Sequence, residues 1–267
     1  MAKTATGTRR ALCVGINDYP YKDNDLKGCV NDARAWASLL TDHFDFPAKN
    51  VTVLVDKQAT KRGTLSALKA LFTRAKAGDV LVFTNSSHGS YVIDKDGDEE
   101  RYDEVLCPWD IDDNDIVDDE LRALIEDLPK GVRLSVVLDN CFSGTATRAR
   151  MNTPDERRIR FLSPALRGLP VLDNPWKAKR KRARSSESRM REVLLSGCTD
   201  REYSYDANFS GVFHGALTYY AHQVIRTANY RLTFEQLHGR LKRAIKDYPQ
   251  HPQLEGSATN KKRSLFS

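Results

Sequence analysis

The stretch Val132 to Gly144, VRLSVVLDNCFSG, decides how the chain is read. Its first half, as far as Leu138, is short, apolar and rich in β-branched side chains, the composition of a strand covered on both faces of a sheet. Its second half, Asp139-Asn140-Cys141-Phe142-Ser143-Gly144, turns to loop-forming residues around a single thiol. Open α/β sheets bind ligands beyond the carboxyl ends of their strands, so Cys141 is either a nucleophile or one more buried small hydrophobe.

A second stretch weighs on that choice. Asp79 to Gly89, DVLVFTNSSHG, is again an apolar strand, Val80 to Phe83, that runs into small polar residues and ends in His88 and Gly89. A thiol becomes a good nucleophile when a neighbouring imidazole takes its proton or stabilises the thiolate. Two parallel strands delivering His88 and Cys141 to one edge would form such a pair.

The flanking sequence supplies the rest of a sheet. Arg9 to Ile16 reads as a first buried strand, broken at Asn17, Asp18, Tyr19 and Pro20. Val30, Ala33, Trp36, Ala37 and Leu40 recur at helical spacing, which predicts a helix from about Lys27 to His43. Val51 to Val55 is a second strand and Thr64 to Ala77 a second amphipathic helix, so strand and helix alternate as in a doubly wound, mostly parallel α/β sheet. Beyond His88 the pattern loosens into a hairpin-like stretch, Tyr91 to Asp115, and then a helix at Asp118 to Leu128, whose leading aspartates suit the positive end of its dipole. After the cysteine strand, Thr145 to Arg191 carries prolines, serines and arginines without sustained period and is expected to be a long mobile loop. A strand at Glu192 to Ser196 and helices near Gly215 to Ile225 and Thr233 to Tyr248 close the chain.

With 267 residues and 40% hydrophobic content, the chain is expected to form one domain, residues 1–267, around an ordinary core. Its net charge of +6 is segregated into an acidic segment, 94–127, and the basic loop, 145–191. Such blocks are usually solvated faces. No apolar run is long enough to cross a bilayer, and the amino terminus lacks the core of a signal peptide, so a soluble cytoplasmic protein is expected. Five widely spaced cysteines point to free thiols in a reducing compartment and away from a disulfide frame or a zinc site.

Together, S-S-H-G-S at 86–90 and D-N-C-F-S-G, its cysteine 53 positions after His88, resemble the metacaspases, caspase-like cysteine peptidases whose pattern is roughly S-G-H-G and D-S-C-H-S-G. The resemblance runs from Arg10 to about residue 255. Ser87 stands for a glycine, Asn140 for a serine and Phe142 for a histidine. It implies a caspase-like three-layer sandwich, a mostly parallel six-stranded sheet between helices, and a cysteine endopeptidase. Cys141 would attack the peptide carbonyl, His88 would protonate the leaving amine, and backbone amides near Cys141 and Gly89 would hold the oxyanion.

Specificity is argued from acids. Asp139 lies two positions before Cys141, and a buried carboxylate calls for a cationic partner, which points to substrates with Arg or Lys before the cut. The segment KGCVND is similar to the family's G-C-x-N-D motif, which adds Asp32 and Cys29 to the pocket, with Ser86 as a lesser contributor. The alternative for Asp32 is an exposed charge on the first helix. Many metacaspases are calcium-activated through four aspartates. Asp103, Asp118 and Asp119 match three of them, whereas Arg148 stands in the fourth place, and the acidic segment fails the spacing of an EF-hand. No cofactor is therefore expected to be required, with calcium left open as an activator. Expected partners are proteins or peptides with a basic residue before the cut, not a membrane. The chain is also expected to cut itself after a basic residue between Arg148 and Arg191, within Lys177 to Arg184 for preference. The competing readings are a catalytically silent scaffold and nucleic-acid binding through KAKRKRARS, Lys177 to Ser185; that run has no interleaved aromatics, and nucleic acid is the weaker partner.

Overall fold

The computed structural model describes residues 7–21, 23–93, 102–112, 114–142, 157–171, 187–199 and 202–267. Six strands form the central sheet: β1 (Arg9–Gly15), β2 (Val51–Val55), β3 (Val80–Ser86), β7 (Arg133–Asp139), β9 (Glu192–Ser196) and β12 (Gln253–Gly256). Their order is β12-β9-β7-β3-β1-β2. Every pairing is parallel except that of β12 with β9, so the antiparallel strand lies at an edge.

Helices cover both faces, and the strands show why. Along β1, Ala11 and Cys13 face one core with α1 (Cys29–His43), α4 (Ala216–Thr227) and α5 (Phe234–Ala244), around the buried Trp36. Leu12 and Val14 face the other, with α2 (Lys61–Phe72) and, at its margin, α3 (Asp118–Glu126). The same alternation runs through β3 and β7, so these strands are apolar on both sides and read as continuous hydrophobic runs. Burial on one face pushes the Cys13 thiol up to about 12, which makes it part of the packing.

Two small sheets sit at the carboxyl end of the large one. The expected hairpin is β4 (Gly89–Ile93) with β5 (Tyr102–Leu106), extended by β6 (Ile116–Val117). The other sheet has the order β11-β10-β8, formed by β8 (Arg157–Ile159), β10 (Tyr205–Phe209) and β11 (Val212–Gly215). β8 corrects the expectation of a structureless loop over 145–191. Residues 157–171 carry this strand and a 3-10 turn at Pro164–Arg167, and Phe161 and Leu162 are buried. Helix α2 begins three residues before the Thr64 expected from sequence, because Thr60 caps it by accepting the Gly63 N–H at 3.0 Å.

Candidate active site

Three strand ends build the site. Register pairs Gly15 with Ser86 and Ser86 with Asp139, so His88 and Cys141 each lie two residues beyond the same rung. Asn140 joins the two turns: its Nδ2 donates to the Ser87 carbonyl at 2.8 Å and to Ser87 Oγ at 2.7 Å, while its Oδ1 accepts from Asn85 at 3.1 Å. Ser87 and Asn140 are two of the three positions where the motifs depart from the family pattern, and they bond to each other. Gly89 is required by contact, since a Cβ there would sit 2.2 Å from the Cys141 carbonyl oxygen.

His88 is fixed from two sides. Its ring packs 4.8 Å from that of Tyr19, whose hydroxyl accepts the His88 N–H at 3.1 Å and donates to the Cys107 carbonyl at 2.9 Å. Nε2 lies 2.7 Å from the Asn24 carbonyl. A carbonyl only accepts, so Nε2 carries the proton in this contact and proton exchange falls to Nδ1. Cys141 is buried, and its Sγ donates to the Glu202 carbonyl at 3.0 Å, an acceptor that Cys198 Sγ shares at 3.5 Å. The hydrogen bond with Cys141, together with burial, raises the Cys198 pKa well above that of an ordinary thiol.

Next to the thiol, three carboxylates close on one guanidinium. Arg160 Nη2 meets Asp32 Oδ2 at 2.7 Å and Asp206 Oδ1 at 3.0 Å, and Nη1 meets Asp139 Oδ2 at 3.3 Å. Arg160 is 0% exposed. Burial alone would lower its pKa, but Asp139, the Cys29 thiol, Asp32 and Asp206 together hold it well above the usual value. Each acid is also held by groups other than Arg160. Asp32 accepts the Gly215 N–H at 3.0 Å and faces His214 Nδ1 at 2.9 Å; Asp206 accepts from the amides of Lys27, at 2.7 Å, and Gly28, at 3.0 Å. Asp139 accepts from Ser204 Oγ at 2.6 Å, and from the amide and hydroxyl of Thr218 at 3.0 and 2.8 Å. A Cβ on Gly215 would fall 2.1 Å from Asp139 Oδ2 and 2.4 Å from Arg160 Nη1, so glycine makes room for the pair. Asp32 is thus buried on the first turn of α1 and is not the exposed charge of the alternative reading. That turn is anchored by Asn17, whose side-chain oxygen accepts from the amides of Cys29 and Val30 at 2.8 and 3.2 Å. Burial, only partly offset by Arg160, raises the Asp32 pKa above the usual carboxylate value.

The backbone of Arg160 is engaged as fully as its side chain. Its N–H donates to the Ser204 carbonyl at 2.9 Å, and its carbonyl accepts from both Gly89 N–H, at 3.0 Å, and Cys141 N–H, at 3.2 Å. These are the amides expected near an oxyanion.

Residues 9–149 match the family described as "Metacaspase, peptidase C14 domain". Over 94% of its length the chain is 30% identical to Metacaspase-1A of Aspergillus oryzae, covering 68% of that protein. It is 32% identical to Metacaspase-3 of Arabidopsis thaliana, with 95% and 69% of the two chains covered. The chain belongs to the metacaspase family. Its fold is caspase-like: caspase-1 of Spodoptera frugiperda superposes with a TM-score of 0.60 at 10% identity, covering 94% of this chain and 87% of that one. A solved protein of Geobacter sulfurreducens superposes with 0.73 at 26% identity, covering 97% and 98%.

Sequence reasoning about this metacaspase missed Arg160 and Asp206. The first looked like one arginine among many in a basic segment, and the second sits in a stretch too short to show a period. Among the described residues the carboxylate partners of the guanidinium are Asp32, Asp139 and Asp206; Ser86, buried at the end of β3, is not a partner, and Cys29 lies buried beneath the cluster with its pKa well raised by burial. Asp103 is buried on β5, while Asp118 and Asp119 start α3 and both pair with Arg122, at 3.0 and 2.7 Å. Among the described residues no group of three or more His, Cys, Asp or Glu could hold a metal ion. Arg148 and Lys177 to Ser185 lie outside the described residues. A cavity of about 120 Å³ opens between α3, β7 and β9, lined in part by Asn140, Phe142 and Cys198 beside the thiol. No helix among the described residues is long and apolar enough to cross a membrane.

Proposed function

We propose that this metacaspase is a cysteine endopeptidase that cuts after Arg or Lys through a Cys141–His88 dyad, and that it processes its own basic segment, 145–191. The observation that carries this reading is the buried trio of Asp32, Asp139 and Asp206, oriented by backbone amides around a space that fits one guanidinium. An acidic side chain there would be repelled, and a guanidinium can satisfy more of these acceptors than an ammonium can.

In the proposed reaction the Cys141 sulfur adds to the peptide carbonyl, and the amides of Gly89 and Cys141 receive the developing oxyanion. His88, held by Asn24 and Tyr19, protonates the leaving amine and then deprotonates the water that hydrolyses the thioester. Calcium is proposed as a weak activator at most.

The test is turnover of fluorogenic peptides ending in Arg, Lys or Asp, with and without calcium, by wild type, Cys141→Ala and His88→Ala. Arg and Lys peptides should be cut and Asp peptides not. His88→Ala should lose about 10² to 10⁴ in kcat. Combined with Cys141→Ala it should lose no more than Cys141→Ala alone, because the two groups act as a unit. Wild-type turnover by a clean Cys141→Ala preparation would refute the dyad and favour a scaffold.

A further inference from the structure

The stretch Arg157–Leu162 lies in the site as a peptide substrate would. β8 pairs antiparallel with β10, placing Ile159 opposite Tyr205. One residue on, Arg160 gives its N–H to Ser204, its carbonyl to the amides of Gly89 and Cys141, and its side chain to the three acids. Phe161 then bridges to Gly89, and Leu162 binds the Gly89 carbonyl at 2.9 Å. Chain therefore continues on both sides of the carbonyl that the oxyanion amides hold. The acids are not assembled by Arg160, because amides of Lys27, Gly28, Gly215 and Thr218 position them independently. Arg160 enters a site that other elements have built.

We propose that Arg157–Leu162 is a substrate bound in cis: Arg160–Phe161 is the bond this enzyme cuts in itself, and β8 bars other substrates from the pocket until it leaves. The proposal rests on the Arg-directed peptidase reading above and moves the cut from the expected Lys177 to Arg184. In the step, the Cys141 thiol gives its proton to His88 as its sulfur bonds to the Arg160 carbonyl carbon. The Arg160–Phe161 C–N bond breaks, and the Phe161 amine departs with a proton from His88. Water then cleaves the thioester, leaving an Arg160 carboxylate and a free thiol. Asp206 and Ser204 reside in the second fragment, which parallel pairing of β9 with β7 keeps in place. The pocket is therefore intact after the cut.

The same contacts describe a preferred foreign substrate. Phe161 stacks on Tyr91 with centroids 6.1 Å apart, Ile159 packs against the cluster that contains Cys141, Arg158 donates to the Asp25 carbonyl, and Arg157 lies 4.6 Å over the Tyr248 ring. Basic residues three and four places before the cut and an aromatic just after it are favoured.

Wild type and Cys141→Ala are expressed in parallel and their fragment termini read by mass spectrometry. The expected result is a new carboxyl terminus at Arg160 and a new amino terminus at Phe161 in wild type, with Cys141→Ala whole. The second arm measures binding of the peptide DERRIRFLSP, residues 155–164, to Cys141→Ala and to Cys141→Ala with Arg160→Ala, or with Arg160→Gln should the alanine variant not fold. A tethered competitor acts at millimolar effective concentration, so freeing the pocket should tighten binding about tenfold or more. Equal affinities would overturn the occlusion. An enzyme that cuts Arg peptides while its own Arg160–Phe161 bond stays whole, or that cuts itself only within 177–184, overturns the cis assignment and leaves the peptidase reading standing. An enzyme that cuts neither itself nor any Arg or Lys peptide overturns both.

Discussion

Two arginines in this protein each meet a cluster of aspartates, and only one of the clusters is closed to water. Arg122, on the surface of α3, is 41% exposed and pairs with Asp118 and Asp119 at helical spacings within its own element. Arg160 is shut away from water and pairs with acids from α1, the end of β7 and β10. In the first cluster the charges are partly exposed and water screens them, and each pair contributes about 0.3 to 0.5 kcal/mol. In the second, desolvation offsets much of the attraction, so the cluster does little for net stability, yet removing one partner leaves the others stranded. The number of acids is similar. What separates the two clusters is burial, together with amides that aim the carboxylates around Arg160.

The sharpest way to break this contrast is Asp139→Ala. It would strand Ser204 Oγ, both polar groups of Thr218 and part of the guanidinium. The expected loss is about 3 to 5 kcal/mol in urea unfolding. In kcat/KM for Arg peptides, losing one charge-assisted bond predicts a fall of about 10- to 100-fold. Combining it with Asp32→Ala should abolish the preference for Arg over neutral residues. A stability change under about 1 kcal/mol with unchanged Arg preference would show that the cluster is not a specificity pocket.

How much of this was legible follows the same division. β1, β3 and β7 are buried on both faces, so their apolar runs announced them, and the change of character at Asn85 and Asp139 announced the edge where chemistry gathers. The metacaspase resemblance led to Asp32 through its motif, before any contact was known. Ser87 and Asn140 looked like isolated departures from that motif, but they form one hydrogen-bonded unit across two strand ends. Arg160 was hidden because nothing local distinguishes it: its partners stand 128, 21 and 46 residues away in sequence, and only tertiary structure brings them together. β8, β10, β11 and β12 are three to five residues long, too short for a period to be seen.

A second pair of residues carries the contrast to histidine. His251 lies at the surface, 64% exposed, with Glu202 as its partner. His222 packs edge-on to Trp36 with centroids 4.6 Å apart, and its Nε2 is sealed from solvent without a hydrogen-bond partner among the described residues. Burial, followed by repulsion from His214 and Arg226, lowers its pKa from 6.5 to about 3. Between those values the unfolded chain takes up a proton that the folded chain refuses. This part of the stability is present above pH 6.5 and is lost as pH falls toward 3. After allowance for the part of the ring that solvent reaches, the loss should be about 2 to 4 kcal/mol. His222→Phe should remove that slope from a urea–pH series. A slope unaltered by His222→Phe would refute the assignment.

The smallest effects belong to the exposed cluster. Arg122→Ala should cost no more than about 1 kcal/mol, read by urea unfolding, because water replaces the guanidinium at both carboxylates. Calcium should meet the same carboxylates only weakly. Arg122 already occupies an oxygen of each of Asp118 and Asp119, and Arg148 stands in sequence where the family's fourth acid is expected. Peptidase activity is therefore expected to be independent of calcium, or to respond only at roughly 10⁻⁴ to 10⁻³ M, the weak end of known calcium sites. Isothermal calorimetry decides the matter: micromolar binding that disappears in Asp118→Ala would mean that calcium displaces Arg122 and gathers donors around the start of α3. In that event the exposed cluster would be a binding site, and burial would no longer be what separates it from the cluster around Arg160.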